Sequence, residues 1–540
     1  MSRVPCVGIA SFVALVVPLS AQQPHDHGRP AGEIGRVSFP TSCNAAAQPL
    51  MERGVAFLHN FWYEEAAKSF RAAAGADSSC AMAWWGVGMT WVRPLWPPMP
   101  AEAQRPGAAA TERAQAMVAG TPRERAYIDA LAAYYRDLGT APVPRRLAAW
   151  KAGMERLHQA HPGDREGRIF YALSLIAAAP RTDPTYALYR QSAALMEPLF
   201  RQTPDHPGLA HYLIHAYDAP GLAASGLEAA RQYAGIAPAV PHARHMPSHV
   251  FTLVGMWEES IAANRSSADA GRQFEREQKL DASWDQTLHA LDYLVYAYLQ
   301  VGREDAAAGV AAEAGAVRRV FPDSSIIAAY ALAAIPARVA LERGRWADAS
   351  RLVIRKGPAP AMAVTQFARA LGAARSGDTA SASAALLALE QSEAAALALG
   401  DPIWPTTIKA QRLAASAWLT LARGDTAAAV RLAIEAADLE DGSAKHPVTP
   451  GAILPARELL GDLLLRIGRS AEARAAYERT LELAPRRARS MDALDGRAQG
   501  RDGGARRSSS RSNPVITPSP RVLSPGAEII AATRPSGPIV

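Results

Sequence analysis

The chain has 540 residues and a mass of 57.4 kDa, room for several domains or for one long repeat array. Hydrophobic residues make up 49%, charged residues 20% and aromatic residues only 7%. With abundant alanine and no long alternating run of Val, Ile and Thr, this argues for close-packed helices and against an all-β fold. The net charge of +7 and pI near 9.3 are unevenly spread. Residues 486–540 carry 10 Arg and 4 acidic residues, which leaves 48 basic and 47 acidic residues elsewhere. The body is nearly neutral, and specific nucleic-acid binding is not expected.

In chain order, Arg3 precedes an apolar run from Val7 to Leu19, followed by Ser20, Ala21 and polar Gln22. This predicts a secretory signal peptide over 1–21, too short for a spanning helix. No transmembrane segment is expected after cleavage, and the mature chain is expected to be periplasmic or secreted. Cleavage removes Cys6 and leaves Cys43 and Cys80, which in an oxidising compartment suggests one disulfide. Two buried thiols remain the other reading. Residues 22–40, with His25 and His27, read as a flexible linker.

From 41 to 125 the pattern is one of helical hairpins with a proline-rich loop. Gly54, Phe57, Tyr63, Ala66, Phe70 and Ala73 fill one hairpin, and Trp84, Gly88 and Trp91 begin the next. Cys43 and Cys80 then flank the first hairpin at neighbouring ends. Pro94 to Pro106 is expected to be a loop. Thr121-Pro122-Arg123-Glu124 is a capping box that opens a helix to about Asp137. Further helices are expected over about 145–159 and 182–203, within an irregular helical segment, 126–206.

A turn glycine followed five residues later by a small residue then recurs: Gly221/Gly226, Gly255/Ser260, Gly302/Ala307, Gly344/Ala349, Gly377/Ala382, Gly424/Ala429 and Gly468/Ala473. The glycine makes the turn, and the small residue lets the two helix axes approach. Each hairpin has an apolar face it cannot bury alone, so neighbours stack. This divides the rest into a histidine-rich core, 207–321, and a C-terminal array, 322–487. The Arg-, Ser-, Pro- and Gly-rich remainder, 488–540, reads as a disordered basic tail.

The best single unit, Gly461, Leu464, Gly468, Ala473, Tyr477 and Pro485, resembles the 34-residue tetratricopeptide repeat (TPR). The resemblance implies an all-α, right-handed α-solenoid of stacked hairpins. Segments around SCNAAA, CAMAWWG, HYLIHAYD and HARHMPSHVF are similar to a group of exported bacterial TPR proteins with an HMPSH-type motif. That group brings no established activity. The TPR register implies that His211, His215, Asp218, His242, His245, His249 and His289 share one concave groove. There they would meet a peptide, protein or small ligand, a role that needs no chemistry.

His211, His215 and Asp218 also share a helix face by spacing alone. Two imidazoles and a carboxylate can hold a transition metal such as zinc, copper or iron, with His249, His242 and His245 as further candidate ligands, and the chain would then be a metal-binding protein or a metal-dependent enzyme. Pro247 marks a helix start, which puts His242 and His245 on the loop before it, at the mouth of the groove. Tyr212, Trp284, Tyr293 and Tyr296 are further groove candidates. His59 reads either as a groove residue or as part of a helix C-cap.

Overall fold

The computed structural model describes residues 33–497 except 97, 98, 118, 119 and 181. The signal segment, Cys6, His25, His27, the linker as far as 32 and the tail beyond 497 lie outside the described residues.

The fold is an all-α solenoid of stacked TPR-like hairpins. The seven glycines of the recurring pattern take φ between 64° and 91° and each lies between the two helices of a hairpin. A side chain there would be strained, so the pattern is a backbone requirement. The small residues five positions on are buried at the crossings, Ser260, Ala307, Ala349, Ala382 and Ala429 completely so. The first hairpin, Gln48–His59 and Tyr63–Ala76, has no turn glycine. Phe61 takes the left-handed conformation instead, at φ 55°. The Cys43–Cys80 disulfide closes the open end of that hairpin.

Between 101 and 202 the chain continues as antiparallel helices, each packed on the next, so this segment extends the array. The N-cap half of the capping box holds as expected, since Glu124 N–H donates to Thr121 Oγ1 at the start of Pro122–Tyr135, but the Glu124 carboxylate accepts from Thr121 Oγ1 and the Ser42 N–H instead of the Thr121 N–H. The expected loop over 94–106 is shorter, because the helix Ala101–Ala116 begins inside it and runs through Pro106. Tertiary packing overrides the missing N–H: Gln104 and Thr111 are buried, and Gly107 lets the helix lie against Tyr135.

Two boundaries move. Residues 33–40, expected in the linker, are clipped to the solenoid: Ile34 and Phe39 are buried, and the Ile34 carbonyl accepts from Asn60 Nδ2. At the other end, 488–494 form a helix rather than tail. Arg487 and Arg489 before and within it are buried against Glu458. Arg487 also reaches Glu342 and the Tyr296 hydroxyl.

Both ends thus return to the middle of the chain. The first helix touches Pro207–Ala216, and the last touches Asp285–Gln300. Among the described residues no helix is long and apolar enough to cross a membrane. The only strands described are a two-residue parallel pair, Ser283–Trp284 with Val320–Phe321.

Candidate metal centre

Three neighbouring stretches supply the central histidines. His211 and His215 lie one turn apart on Pro207–Ala216, a helix buried along its whole length. Gly208 brings that helix against the first hairpin, since a Cβ there would lie 2.6 Å from His59 Nδ1. His242, His245 and His249 come from two short helices, Pro241–His245 and Pro247–Leu253, each opened by proline. His289 lies on Asp285–Gln300.

These six side chains form two triads, His211/His215/His242 and His245/His249/His289. His211 Nε2 lies 3.1 Å from both His215 Nε2 and His242 Nε2. His245 Nε2 and His249 Nε2 are 3.0 Å apart. A metal about 2.0–2.1 Å from two imidazole nitrogens at a tetrahedral angle sets them roughly 3.3 Å apart. The spacing is therefore close to that of shared ligation.

The opposite ring nitrogens fix the tautomers. His211 Nδ1 donates to the His59 carbonyl at 2.6 Å. His245 Nδ1 donates to Asn264 Oδ1 at 2.7 Å, and Asn264 Nδ2 is committed to the Ser260 carbonyl. His249 Nδ1 donates to Asp218 Oδ2 at 2.8 Å. A ring that donates through Nδ1 leaves Nε2 as a lone pair when it is neutral. Burial pushes the pKa of all six imidazoles down, that of His245 to about 4, so the neutral form dominates at pH 7. The His245–His249 contact is then two lone pairs facing each other, an arrangement a cation between them would turn from repulsive to favourable. Nδ1–H bonds to carbonyl and carboxylate oxygens are also the usual outer support of metal-bound histidine.

The expected groove is closed here. All six histidines are at most 9% exposed. The segment 443–455 crosses over them, tied by Tyr293, whose hydroxyl meets the Pro447 and Thr449 carbonyls at 3.2 and 3.1 Å. Arg338, paired with Asp292, donates to Thr449 Oγ1 and the Gly451 and Ala452 carbonyls. Lys445 Nζ lies 3.2 Å from Asp218 Oδ1. On the other side Phe61 packs on His211, with ring centroids 4.4 Å apart, and Trp96 packs on His242. A cavity of about 50 Å³ reaches His215 and Asp218, lined also by Tyr186, Tyr189 and Lys445.

The expected ligand set is regrouped. His211 and His215 belong together, but His249 joins His245 and His289. Asp218 lies past the helix end at Tyr217, so its carboxylate meets His249 Nδ1 from outside the triad. His242 and His245 are helical and buried rather than at a mouth. Of the aromatic candidates, Tyr293 is at the site, 3.4 Å from His249 Nδ1. Tyr296 instead faces Arg487 and a separate cavity of about 170 Å³. Trp284 packs on Phe274. Tyr212 serves His59, donating to its Nδ1 at 2.9 Å.

His59 belongs to a third group. Its Nε2 and that of His206 donate to the two oxygens of Glu166, at 2.9 and 2.8 Å. The C-cap position falls to Asn60. No signal in the sequence joined His59, Glu166 and His206, or marked Asn264 and Lys445, because their partners are 19 to 227 residues away.

No family model matches the chain, and no curated protein matches it. Among solved structures it is similar to the Cut9–Hcn1 heterotetramer of the APC/C, at 14% identity over 78% of this chain and 76% of that one, TM-score 0.34. It is similar to yeast Tom70, at 13% identity over 84% and 95%, TM-score 0.32. With the Naa15/Naa10 structure bound to HypK-THB the figures are 12% identity and TM-score 0.22, and the chain spans 62% of that chain's length while matching over 80% of its own. Likenesses this distant say nothing of what the histidines do.

Proposed function

We propose that this protein is an exported metal-binding solenoid whose central histidines hold a transition-metal ion. The observation that carries the reading is the convergence of Nε2 atoms at 3.0–3.1 Å in both triads, with the Nδ1–H groups of His211, His245 and His249 tied off outside. An all-imidazole donor set suits zinc, copper, iron or nickel and not magnesium or calcium.

The test is elemental analysis of the mature chain, purified without a His-tag or chelator, beside His245→Ala/His249→Ala and His211→Ala/His215→Ala. The expected result is metal in the parent and at least one equivalent less in each variant, with helicity by circular dichroism unchanged. Absence of metal in the parent, even after reconstitution, would sink the reading. Export rests on the signal-peptide pattern and on the Cys43–Cys80 bond, which persists outside reducing compartments. Sequencing the secreted or periplasmic form should give Gln22 as its first residue, and a chain retained uncleaved in the cytoplasm contradicts it.

A partner-binding role stands beside metal binding, on a different surface. Leu387, Leu397 and Ile434 are exposed on Thr379–Leu397 and Thr426–Asp441, the second helices of their hairpins. A pull-down that enriches the same protein with the parent but not with Leu387→Lys/Leu397→Lys supports it. Equal recovery with both counts against it.

A further inference from the structure

The two triads abut. Ring centroids of His215 and His249 are 6.3 Å apart, and so are those of His242 and His245. Two binding positions therefore stand side by side. Each triad gives three nitrogens, which leaves a fourth tetrahedral position open at each. Beyond the imidazoles, the cavity at His215 is the place where a small molecule fits.

Charge decides which ions suit the pair. The one carboxylate in reach, Asp218, which bonds His249 and lines the cavity at His215, is already matched by Lys445. The six ligands are neutral. Two divalent ions would place an uncompensated charge of about four in a buried site, which costs heavily unless it is balanced. Among metals that imidazole binds well, copper is also stable as a monovalent ion, and a bridging hydroxide would offset part of the charge of its divalent form.

We infer that the two triads hold a pair of copper ions, one per triad, which in the divalent form share a hydroxide bridge next to His215. The inference rests on the metal-binding reading and adds the number, the identity and the coupling of the ions. The bridge forms from water that gives up one proton to solvent, with no change in the oxidation state of either ion.

The experiment uses the mature full-length chain. One sample is titrated with Cu(I) without oxygen, and another is loaded with Cu(II). Copper per chain is measured for both, and the Cu(II) sample is also examined by electron paramagnetic resonance. The expected result is two copper ions per chain in each form and a spin intensity far below two, because ions sharing one bridge couple. His289→Ala should retain one copper and show close to one full spin. One copper per chain in the parent, or two copper ions showing two full spins, would overturn the pair. A parent that fills both triads with zinc but rejects Cu(I) would overturn the choice of copper. Metal in neither triad removes the metal-binding reading together with this one. If His289→Ala does not fold, the parent's ratio of spins to copper decides alone.

Discussion

The molecule holds two buried histidine clusters a few ångströms apart, and they are built on opposite plans. In the His59–Glu166–His206 group every ring nitrogen has a complementary partner. Both Nε2–H groups point at Glu166, His59 Nδ1 accepts from the Tyr212 hydroxyl, and His206 Nδ1 accepts from the Leu209 N–H. Burial opposes it, but the two Nε2–H donors of His206 and His59 hold the Glu166 carboxyl well below the usual range. Nothing needs to be added. In the two triads the Nδ1–H groups of His211, His245 and His249 are served from outside in the same way, but the Nε2 atoms of His245 and His249 face each other as acceptors. A closed hydrogen-bond network stabilises a fold, whereas converging acceptors lack a positive charge. The two clusters are joined, since the His59 carbonyl orients His211. The saturated cluster thereby positions the unsaturated one.

If that contrast is right, metal should stabilise the protein through the triads alone. Ligand present at about 1000 times its Kd adds roughly 4 kcal/mol to unfolding. Copper or zinc should therefore raise the parent's Tm markedly and leave His245→Ala/His249→Ala/His211→Ala/His215→Ala unmoved. An equal rise in both proteins would place the bound metal elsewhere. The next effect in size belongs to the saturated cluster. Glu166→Ala strands two buried N–H groups, at about 1–3 kcal/mol each. The apo form should lose about 3 kcal/mol in urea denaturation, while His289→Leu, which removes one inward acceptor, should cost the apo form less than about 1 kcal/mol. Reversal of that order would break the comparison.

Much of the scaffold was legible in the sequence, and the site only in part. Turn glycines and small crossing residues are local demands of a hairpin, so their spacing located seven turns. Spacing along one helix likewise paired His211 with His215. It could not sort His249 from Asp218, because that depends on where the helix frays at Tyr217 and on which ring nitrogen each neighbour meets. The covering segment was hidden for a related reason. Residues 443–455 reach Tyr293 and Asp218 across 154 and 227 residues, a separation that no local pattern spans. Phe61 shows the limit from the other side: a turn without glycine was visible, but not that its left-handed residue would lie against His211.

The pH dependence of the apo protein offers a comparison of opposite signs. The six imidazoles have lowered pKa values in the folded state, so the folded form binds fewer protons than the unfolded one below pH 6.5. Their contribution is complete above pH 6.5 and is lost as pH falls. Asp285, buried at the start of the helix that carries His289, has its pKa raised by burial from 3.8 to about 6. Here the folded form binds more protons, so this contribution is present below about pH 4 and is lost as pH rises to 6. The shift of about two units corresponds to roughly 2–3 kcal/mol. Stability measured at pH 4 and pH 6 should give Asp285→Asn a gain relative to the parent at pH 6 that is absent at pH 4. A constant difference between the two proteins would mean that Asp285 is ionised throughout.

The smallest effect concerns the cover. The Tyr293 hydroxyl is near His249 Nδ1, but that nitrogen already donates to Asp218, so its main work is with the Pro447 and Thr449 carbonyls. Tyr293→Phe keeps the ring that packs on His245, His249 and His289 and removes one hydroxyl donor from the segment above them. The loss in stability should be about 1 kcal/mol, the net value of one such bond. Arg338 and Lys445 still hold the segment, so it should open more often without detaching. Opening exposes the triads, and metal should then leave faster to an added chelator while the equilibrium stoichiometry is unchanged. A Tyr293→Phe protein that releases metal at the parent's rate would show that exchange runs through the cavity at His215, with the cover closed.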